Sequence, residues 1–481
     1  MSTLQRIPCD ANIGLIMYHR ISRLILAAFC LATFLTPALL AVDWPQWLGP
    51  NRDGVWRETG LLAQFPKDGL KVRWRTPVSG GFSAPAISGG RVFLTDFTPK
   101  PDSHRPINPF QLITLPGVER VICLDQATGK ILWTHSDDID YSMSYSAGPR
   151  GAPAVDGDRV YTFGGEGNLL CLDCKSGKVI WARPHSQSDS PTPRWGFAMN
   201  PLIDGDRLIC IIGGNDPKHG HGVVTAFNKL TGAVIWSALS AKEPGYSTPV
   251  IYSSGGVRQL IIWDPDAVNS LNPQTGEVYW SHPFGPARMG LCVMTPKFIH
   301  DPQAGDVLYV ATQYEGSLAL KLGEKEPKAT VLWQRKGRSD RNTDALHILL
   351  SPPVLREGHI YGIDCYGQLR CLDLKTGDRL WETSAATTYD AGPQKWSSAF
   401  LIHLGDTGPR YLIANEHGDL ILADLDPAGY REISRTHLID PTNTDPGRPV
   451  VWSHPALADR CIFWRNDKEI VCASMAAEAA K

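Results

Sequence analysis

Cys371-Leu372-Asp373-Leu374-Lys375-Thr376-Gly377-Asp378-Arg379-Leu380-Trp381 is the stretch whose reading decides the fold. An apolar run ends in Asp, a short turn carries Thr-Gly, and a second run ends in Trp. Asp accepts backbone N–H groups at the start of the turn, and Gly takes the positive φ that would strain other residues, so the chain reverses directly into the next strand. Four residues after the Gly, an even number of strand positions returns Trp to the same face.

Working outward, the same unit recurs through Cys123, Thr128-Gly129 and Trp133; Cys171, Ser176-Gly177 and Trp181; Ala226, Thr231-Gly232 and Trp236; and Ser270, Thr275-Gly276 and Trp280. A drifted copy runs from Leu318 to Trp333. The Trp positions from Trp133 to Trp381 advance by 48, 55, 44, 53 and 48 residues, each close to one propeller blade. A four-stranded sheet cannot cover its own apolar face, so repeated Trp on one face reads as packing between blades. Upstream of each hairpin lies its partner, such as Ala152-Pro153-Ala154-Val155 followed by Arg159-Val160-Tyr161, joined through Asp156-Gly157-Asp158. Pro near the start of the innermost strand is tolerated because that strand borders the central channel with a free edge.

Two units are weaker. The segment from Ser397 to Thr436 has Ile433 where the others have Trp, and Trp452 to Met475 supplies only three strands. Lys71-Val72-Arg73-Trp74-Arg75 is expected to fill the missing place, with Trp74 matching the repeated indole. That closure ties early and late chain together and removes an exposed sheet edge. The expected fold is all-β: an eight-bladed β-propeller of four-stranded antiparallel blades, closed by an N-terminal strand in the last blade. Trp74, Trp133, Trp181, Trp236, Trp280, Trp333 and Trp381 are its expected blade-packing residues.

The start of the chain reads differently. Arg20 and Arg23 precede an uncharged run from Leu24 to Ala41, the outline of an export signal or a retained membrane anchor. Phe29 before Cys30 fits poorly with lipoprotein processing, where a small residue is expected. The expected organisation is therefore residues 1–41 as signal or anchor, 42–70 as an extension packing on the propeller, 71–475 as the propeller and 476–481 as a tail. Residues 1–41 carry Arg6, Arg20, Arg23 and Asp10, so the formal charge of −2 becomes −4 without them. No positive stripe of the kind a phosphate backbone requires is present, and no nucleic-acid partner is expected.

The recurring Thr-Gly-x-x-x-Trp hairpin resembles the pyrroloquinoline-quinone-repeat propellers, which include the quinoprotein alcohol dehydrogenases and the outer-membrane protein assembly lipoprotein. The likeness covers roughly Lys71 to Met475. Asp43-Trp44-Pro45-Gln46-Trp47-Leu48-Gly49-Pro50-Asn51-Arg52-Asp53-Gly54 is similar to the opening of exported repeat propellers of planctomycete-type bacteria. The resemblance implies a fold more than an activity. In the dehydrogenases it implies a central quinone, a calcium ion held by acidic and amide side chains, a carboxylate base and often a disulfide between adjacent Cys residues. This chain has no adjacent Cys pair, and no motif places the calcium ligands or the base on named residues.

Isolated features read as structure. Cys171-Leu172-Asp173-Cys174 has redox spacing, yet Cys171 shares its repeat position with Cys123 and Cys371, where a small buried side chain suffices. His219 and His221 flank Gly220 in a Gly-rich insertion and read as loop, not as a metal pair. A two-residue turn at Asn466-Asp467 would set Cys461 opposite Cys472. A disulfide is then geometrically allowed, although two free core thiols are preferred because cross-strand bridges are strained. A turn at Tyr366-Gly367 would pair Cys371 with Gly362 and leave Cys365 apart.

Binding is expected at one end of the ring, where links from each outer strand to the next inner strand converge. Those links carry Tyr145, Arg150, Arg194, Trp195, Tyr246, Arg288, His347, Lys395, Trp396 and Arg448. Aromatic and cationic groups around a shared funnel can stack on a planar ligand, neutralise a carboxylate or anchor a partner. The favoured function is an exported, non-catalytic binding or assembly scaffold in the periplasm or cell envelope, engaging a protein or envelope component and using no cofactor. Membrane association through an uncleaved N-terminal segment is compatible with it. The alternatives are a pyrroloquinoline-quinone and calcium dependent dehydrogenase with a divergent centre, and a polysaccharide or small-molecule binding module.

Overall fold

The computed structural model describes residues 43–185, 190–214, 218, 222–241, 243–285 and 288–477. The apolar run from Leu24 to Ala41 and the His219/His221 pair lie outside the described residues. Among those described, the strands form eight sheets, each built on four antiparallel strands, which follow one another in sequence in all but the closing blade. The blades run from inner to outer strand: Ala86–Ser88 to Ile131–Tyr141, Ala154–Asp156 to Val179–Arg183, Leu202–Asp204 to Val234–Ala238, and Val250–Ser254 to Val278–Pro283. They continue with Lys297–Asp301 to Ala329–Arg335, Val354–Arg356 to Arg379–Thr383, and Ala399–Leu404 to Gly429–His437. The eighth blade begins at Ala456–Ala458, and its outer strand is Lys71–Pro77, paired antiparallel with Glu469–Ser474 so that Trp74 faces Cys472. The ring closes as an eight-bladed propeller. A short helical turn, Arg288–Gly290, belongs to a link between blades.

The hairpin repeat closes the blades on one another through a specific lock. Trp74 Nε1 donates to the Gln126 carbonyl at 2.9 Å, Trp133 to Cys174 at 2.9 Å and Trp181 to Lys229 at 3.0 Å, each acceptor lying in the outer hairpin turn of the next blade. Trp236, Trp333 and Trp381 do the same to Pro273, Leu374 and Asp426. Except for Trp381, each ring lies against that turn's Gly. A Cβ at Gly129, Gly177 or Gly377 would come within 2.5, 2.6 or 2.8 Å of the preceding blade's indole. The Gly is thus required twice, by φ values of +71°, +72° and +71° and by the ring above it.

The even-position argument for Trp is corrected by the register. In the sixth blade Cys371 faces Trp381 and Leu372 faces Arg379, so Leu380 is an inserted bulge residue. The same shift precedes Trp133, Trp181, Trp236, Trp280 and Trp333. A bulge twists the outer strand and re-aims its side chain, and here it turns the indole toward the next blade. Opposite each indole stands a small residue: Cys123, Cys171, Ala226, Ser270, Ala319, Cys371 and, across from Trp74, Cys472. The recurring Cys is therefore a space requirement set by Trp.

Two exceptions follow from the same geometry. Trp280 would dock on a hairpin turn running from Gly323 to Lys328, which lacks Thr-Gly, and it donates instead to Gln259 Oε1 of its own blade at 2.9 Å. Ile433 replaces Trp because the eighth blade has no outer hairpin to dock on: its outer strand arrives from the beginning of the chain.

Register also corrects the cysteine readings. Arg465 faces Ile470 across a turn spanning Asn466 to Glu469, so Cys461 faces Ser474 and Cys472 faces Phe463. The two thiols are free and lie diagonally across the strand pair. Tyr361, not Gly362, faces Cys371, because the turn spans Asp364 to Gln368.

The extension before Lys71 does more than cover the propeller. Trp44 exchanges two backbone hydrogen bonds with Ile87, the Pro45 carbonyl accepts from Val155 N, and Val55–Trp56 pairs in parallel with His403 and Leu404. These partners are the innermost strands of blades one, two and seven, whose expected free edges are used in this way. The seventh blade accordingly has five strands. The extension enters the channel at the turn end, rises to Trp47 and descends again. Arg52 and Lys297 are buried in this channel, and burial lowers them to about 10 and about 8. Arg52 donates to the Pro201 carbonyl and to Gln46 Oε1, and Lys297 Nζ reaches the Asp53 carbonyl at 3.4 Å.

Candidate funnel at the loop end

At the end opposite the hairpin turns, the links between blades converge on a cavity of about 230 Å³. Its floor is Trp47, the apex of the channel-threading extension. Trp47 Nε1 donates to Thr295 Oγ1 at 2.9 Å, and its ring meets His454 at 5.1 Å. Burial lowers His454 to about 4, so it is neutral near pH 7 and keeps the floor uncharged. The walls carry Phe82, Tyr145, Trp195, Tyr246, Tyr314 and Trp452.

Five of the ten residues singled out from the sequence line this cavity: Tyr145, Arg150, Trp195, Tyr246 and Trp396. The Tyr246 hydroxyl accepts from Trp195 N at 3.4 Å, and the two rings meet edge to face at 5.7 Å. The other five stand behind or above the lining. Arg194 lies over the Trp195 ring at 5.9 Å, Lys395 over Trp396 at 5.2 Å and Arg288 over Tyr314 at 4.8 Å. His347 is buried behind the wall, with Nδ1 2.7 Å from the Gln313 carbonyl. Arg448 pairs with Glu416 at 2.8 Å, and Glu416 also accepts from Trp452 Nε1. Asp344, on the same links, instead pairs with Arg335.

Among the described residues, Arg150 supplies positive charge without an acid in contact. Its guanidinium donates to the carbonyls of Ser144, Tyr145 and Gly148 and lies 5.2 Å from the Phe82 ring, and burial lowers its pKa. Backbone strain gathers here as well. Tyr145, Met289 and Trp396 line the cavity with φ of +52°, +60° and +63°, a region costly for large side chains. Their neighbours hold them: Tyr145 N donates to Pro109, and Trp396 N to Cys365.

The contributors that sequence reading missed include Trp47, Phe110 and Trp452. Trp47 lies in the extension, Phe110 in an insertion between the second and third strands of blade one, and Trp452 in the link before the last blade. Phe110 reaches over the mouth to meet Tyr145 at 5.2 Å and Trp396 at 5.8 Å. The extension and the insertion do not repeat, so periodicity carried no signal for Trp47 and Phe110.

The lining does not fit a calcium-held quinone. It contains no Asp or Glu to serve as calcium ligand or base. Among the described residues no group of three His, Cys, Asp or Glu side chains is placed to hold a metal ion. The nearby Glu166 is occupied with Ser142 and Thr192, and Glu416 with Arg448.

A closed ring of Trp-locked four-stranded blades defines the chain as a pyrroloquinoline-quinone-repeat propeller. The family model described as outer membrane protein assembly factor BamB matches residues 55–216, 117–383 and 268–427, and the chain belongs to that family. It is 26% identical over 257 residues to outer membrane protein assembly factor BamB of Yersinia pestis, a match covering 47% of this chain and 58% of that relative's length. Among solved structures, quinohemoprotein alcohol dehydrogenase of Comamonas testosteroni superposes with a TM-score of 0.61 at 13% identity, over 91% of this chain and 81% of that one. BamB of Moraxella catarrhalis gives 0.49 at 14% identity, over 85% and 100%. Among the described residues no helix is long and apolar enough to cross a membrane.

Proposed function

We propose that the chain is an exported, non-catalytic scaffold of the cell envelope that holds a protein partner at the funnel end of its propeller. The observation that carries this reading is the cavity over Trp47, where aromatic rings and the acid-free cation Arg150 converge on strained links. Desolvated aromatic pockets of this kind anchor partner side chains, because an inserted apolar group exchanges water for ring contacts. Strain is retained where the surrounding structure holds it for a purpose, and three strained residues face one space. Membership of the assembly-factor family supports a scaffold role, and the apolar run from Leu24 to Ala41 supports export.

The test compares the intact chain with the Trp195→Ala/Trp396→Ala double variant in pull-downs from an envelope extract. Both rings sit at the mouth and neither carries a blade lock, so the variant is expected to fold with a circular dichroism spectrum unchanged from the parent. Partner recovery is expected to fall by at least about tenfold, the effect of losing about 1.4 kcal/mol. Equal recovery from the two folded proteins would refute the funnel as the binding end.

A further inference from the structure

Blade one differs from the others in length: its second, third and fourth strands span Arg91–Pro99, Leu115–Asp125 and Ile131–Tyr141, where the equivalent strands of blade two have five residues each. The extra length projects residues 100–114 over the funnel. At its centre Asn108-Pro109-Phe110-Gln111 forms a β-turn, with Gln111 N donating to the Asn108 carbonyl at 3.0 Å and Phe110 N to Asn108 Oδ1 at 3.1 Å. Asn at the first position and Pro at the second suit such a turn, because Pro presets φ and Asn caps the exposed N–H groups.

This turn is held as a ligand is held. The Phe110 ring sits between Tyr145 and Trp396, on two links that are not neighbours in the ring of blades. The Phe110 carbonyl accepts from Ser144 Oγ at 3.1 Å and from Arg194 Nη2 at 3.0 Å, and the Pro109 carbonyl accepts from Tyr145 N at 2.8 Å. Two carbonyls and one ring are therefore recognised together. Yet Phe110 is only half-buried, and Ile107 and Leu112 on either side of the turn are exposed. A loop kept for stability alone would turn these side chains inward.

We propose that the funnel is a receptor for a tight turn presenting an aromatic side chain after proline, and that Pro109-Phe110 is a resident copy which a partner's turn displaces. This rests on the funnel being the partner-binding end. The cation Arg194 and the donors Tyr145 N and Ser144 Oγ would serve the incoming carbonyls as they now serve the resident ones. Trp396 and Tyr145 would clasp the incoming ring, and the displaced loop would offer Ile107 and Leu112 to the same partner. The proposal commits to a protein turn over a free aromatic molecule, because the recognised carbonyls belong to two successive residues of a chain.

The test uses the full chain, its Phe110→Ala variant and a synthetic peptide spanning Arg105 to Ile113, followed by tryptophan fluorescence. Phe110→Ala removes the competing ring from a solvent-facing loop, and its fold is checked by circular dichroism. Saturable binding is expected to the variant and to be about tenfold weaker to the parent, as when the resident turn is docked about nine-tenths of the time. Binding is expected to vanish when the peptide's own Phe is replaced by Ala, or when the protein also carries Trp396→Ala. A folded Phe110→Ala variant with no saturable response up to about 1 mM peptide, or one that binds no more tightly than the parent, would overturn the proposal. If partner recovery still depends on Trp195 and Trp396 in that event, only the turn is lost and the funnel stands. Loss of both would remove the funnel as well.

Discussion

At the turn end of the propeller, six indoles donate to carbonyls of the next blade, and five of them also rest on its Gly, in one arrangement copied around the ring. At the funnel end the links differ in sequence and in what they carry: one brings Tyr145 and Arg150, another Arg194 and Trp195, another Met289 within a helical turn, and another Trp396. The first end uses its residues for closure, and positive φ there falls on turn glycines and on the hairpin-turn residues Glu357, Asp459 and Arg460. The second keeps large side chains at positive φ and an acid-free cation in an aromatic cavity. Regular contacts hold the blades together, while the irregular end is where rings and charge remain available to something outside the chain.

The largest effect should come from breaking the regular end. Trp333→Ala removes a locked indole resting on Gly377, and the unfolding free energy by urea titration is expected to fall by about 4 kcal/mol. Trp280→Ala serves as its internal contrast, because that indole bonds only to Gln259 of its own blade, and a loss of about 2 kcal/mol is expected. Equal losses would mean that docking on the next blade contributes nothing beyond burial.

Next in size is the channel beneath the funnel. Burial lowers Lys297 from 10.5 to about 8, so the unfolded state binds the proton more tightly and the charged lysine destabilises the fold at all pH values below about 8. That cost disappears as pH rises from about 8 to 10.5. Lys297→Met is therefore expected to stabilise the protein by up to about 3 kcal/mol at pH 7, with the advantage fading to nothing above pH 10.5 in a pH series of urea midpoints. A pH-independent difference would show that the effect arises from packing.

The smallest expected effect concerns strain. Met289 is exposed with φ of +60°, so Met289→Gly should raise stability by about 0.5–1 kcal/mol through relief of the left-handed backbone, measured by thermal unfolding. A loss of stability would mean that the thioether's contacts outweigh the backbone cost.

What the sequence disclosed follows the same division. Trp, Gly and the small residue opposite Trp recur with each blade, so the ring, its count and the closure by Trp74 could be read from spacing. Ile433 looked like decay of the repeat until the missing hairpin of the closing blade explained it. The bulge before each Trp was hidden because one inserted residue leaves the Gly-to-Trp spacing constant. The cysteine registers failed for a related reason: loops at Asp364–Gln368 and Asn466–Glu469 are longer than a two-residue turn, and a small change in loop length moves every pair. The funnel was legible only as a set of links. Tyr145, Arg150, Trp195, Tyr246 and Trp396 could be named because they lie between recognisable strands, whereas Trp47 and Phe110 come from unrepeated segments that reach the cavity from the channel and from an elongated hairpin.

On the proposed function, the irregular end, not the regular one, meets the partner. A photoreactive phenylalanine analogue placed at Leu350, on the cavity lining, or at Leu230, exposed on a hairpin turn of blade three, tests it directly in cells. Irradiation is expected to join a partner protein to the chain from position 350 and not from position 230. Cross-links from position 230 alone would contradict the account.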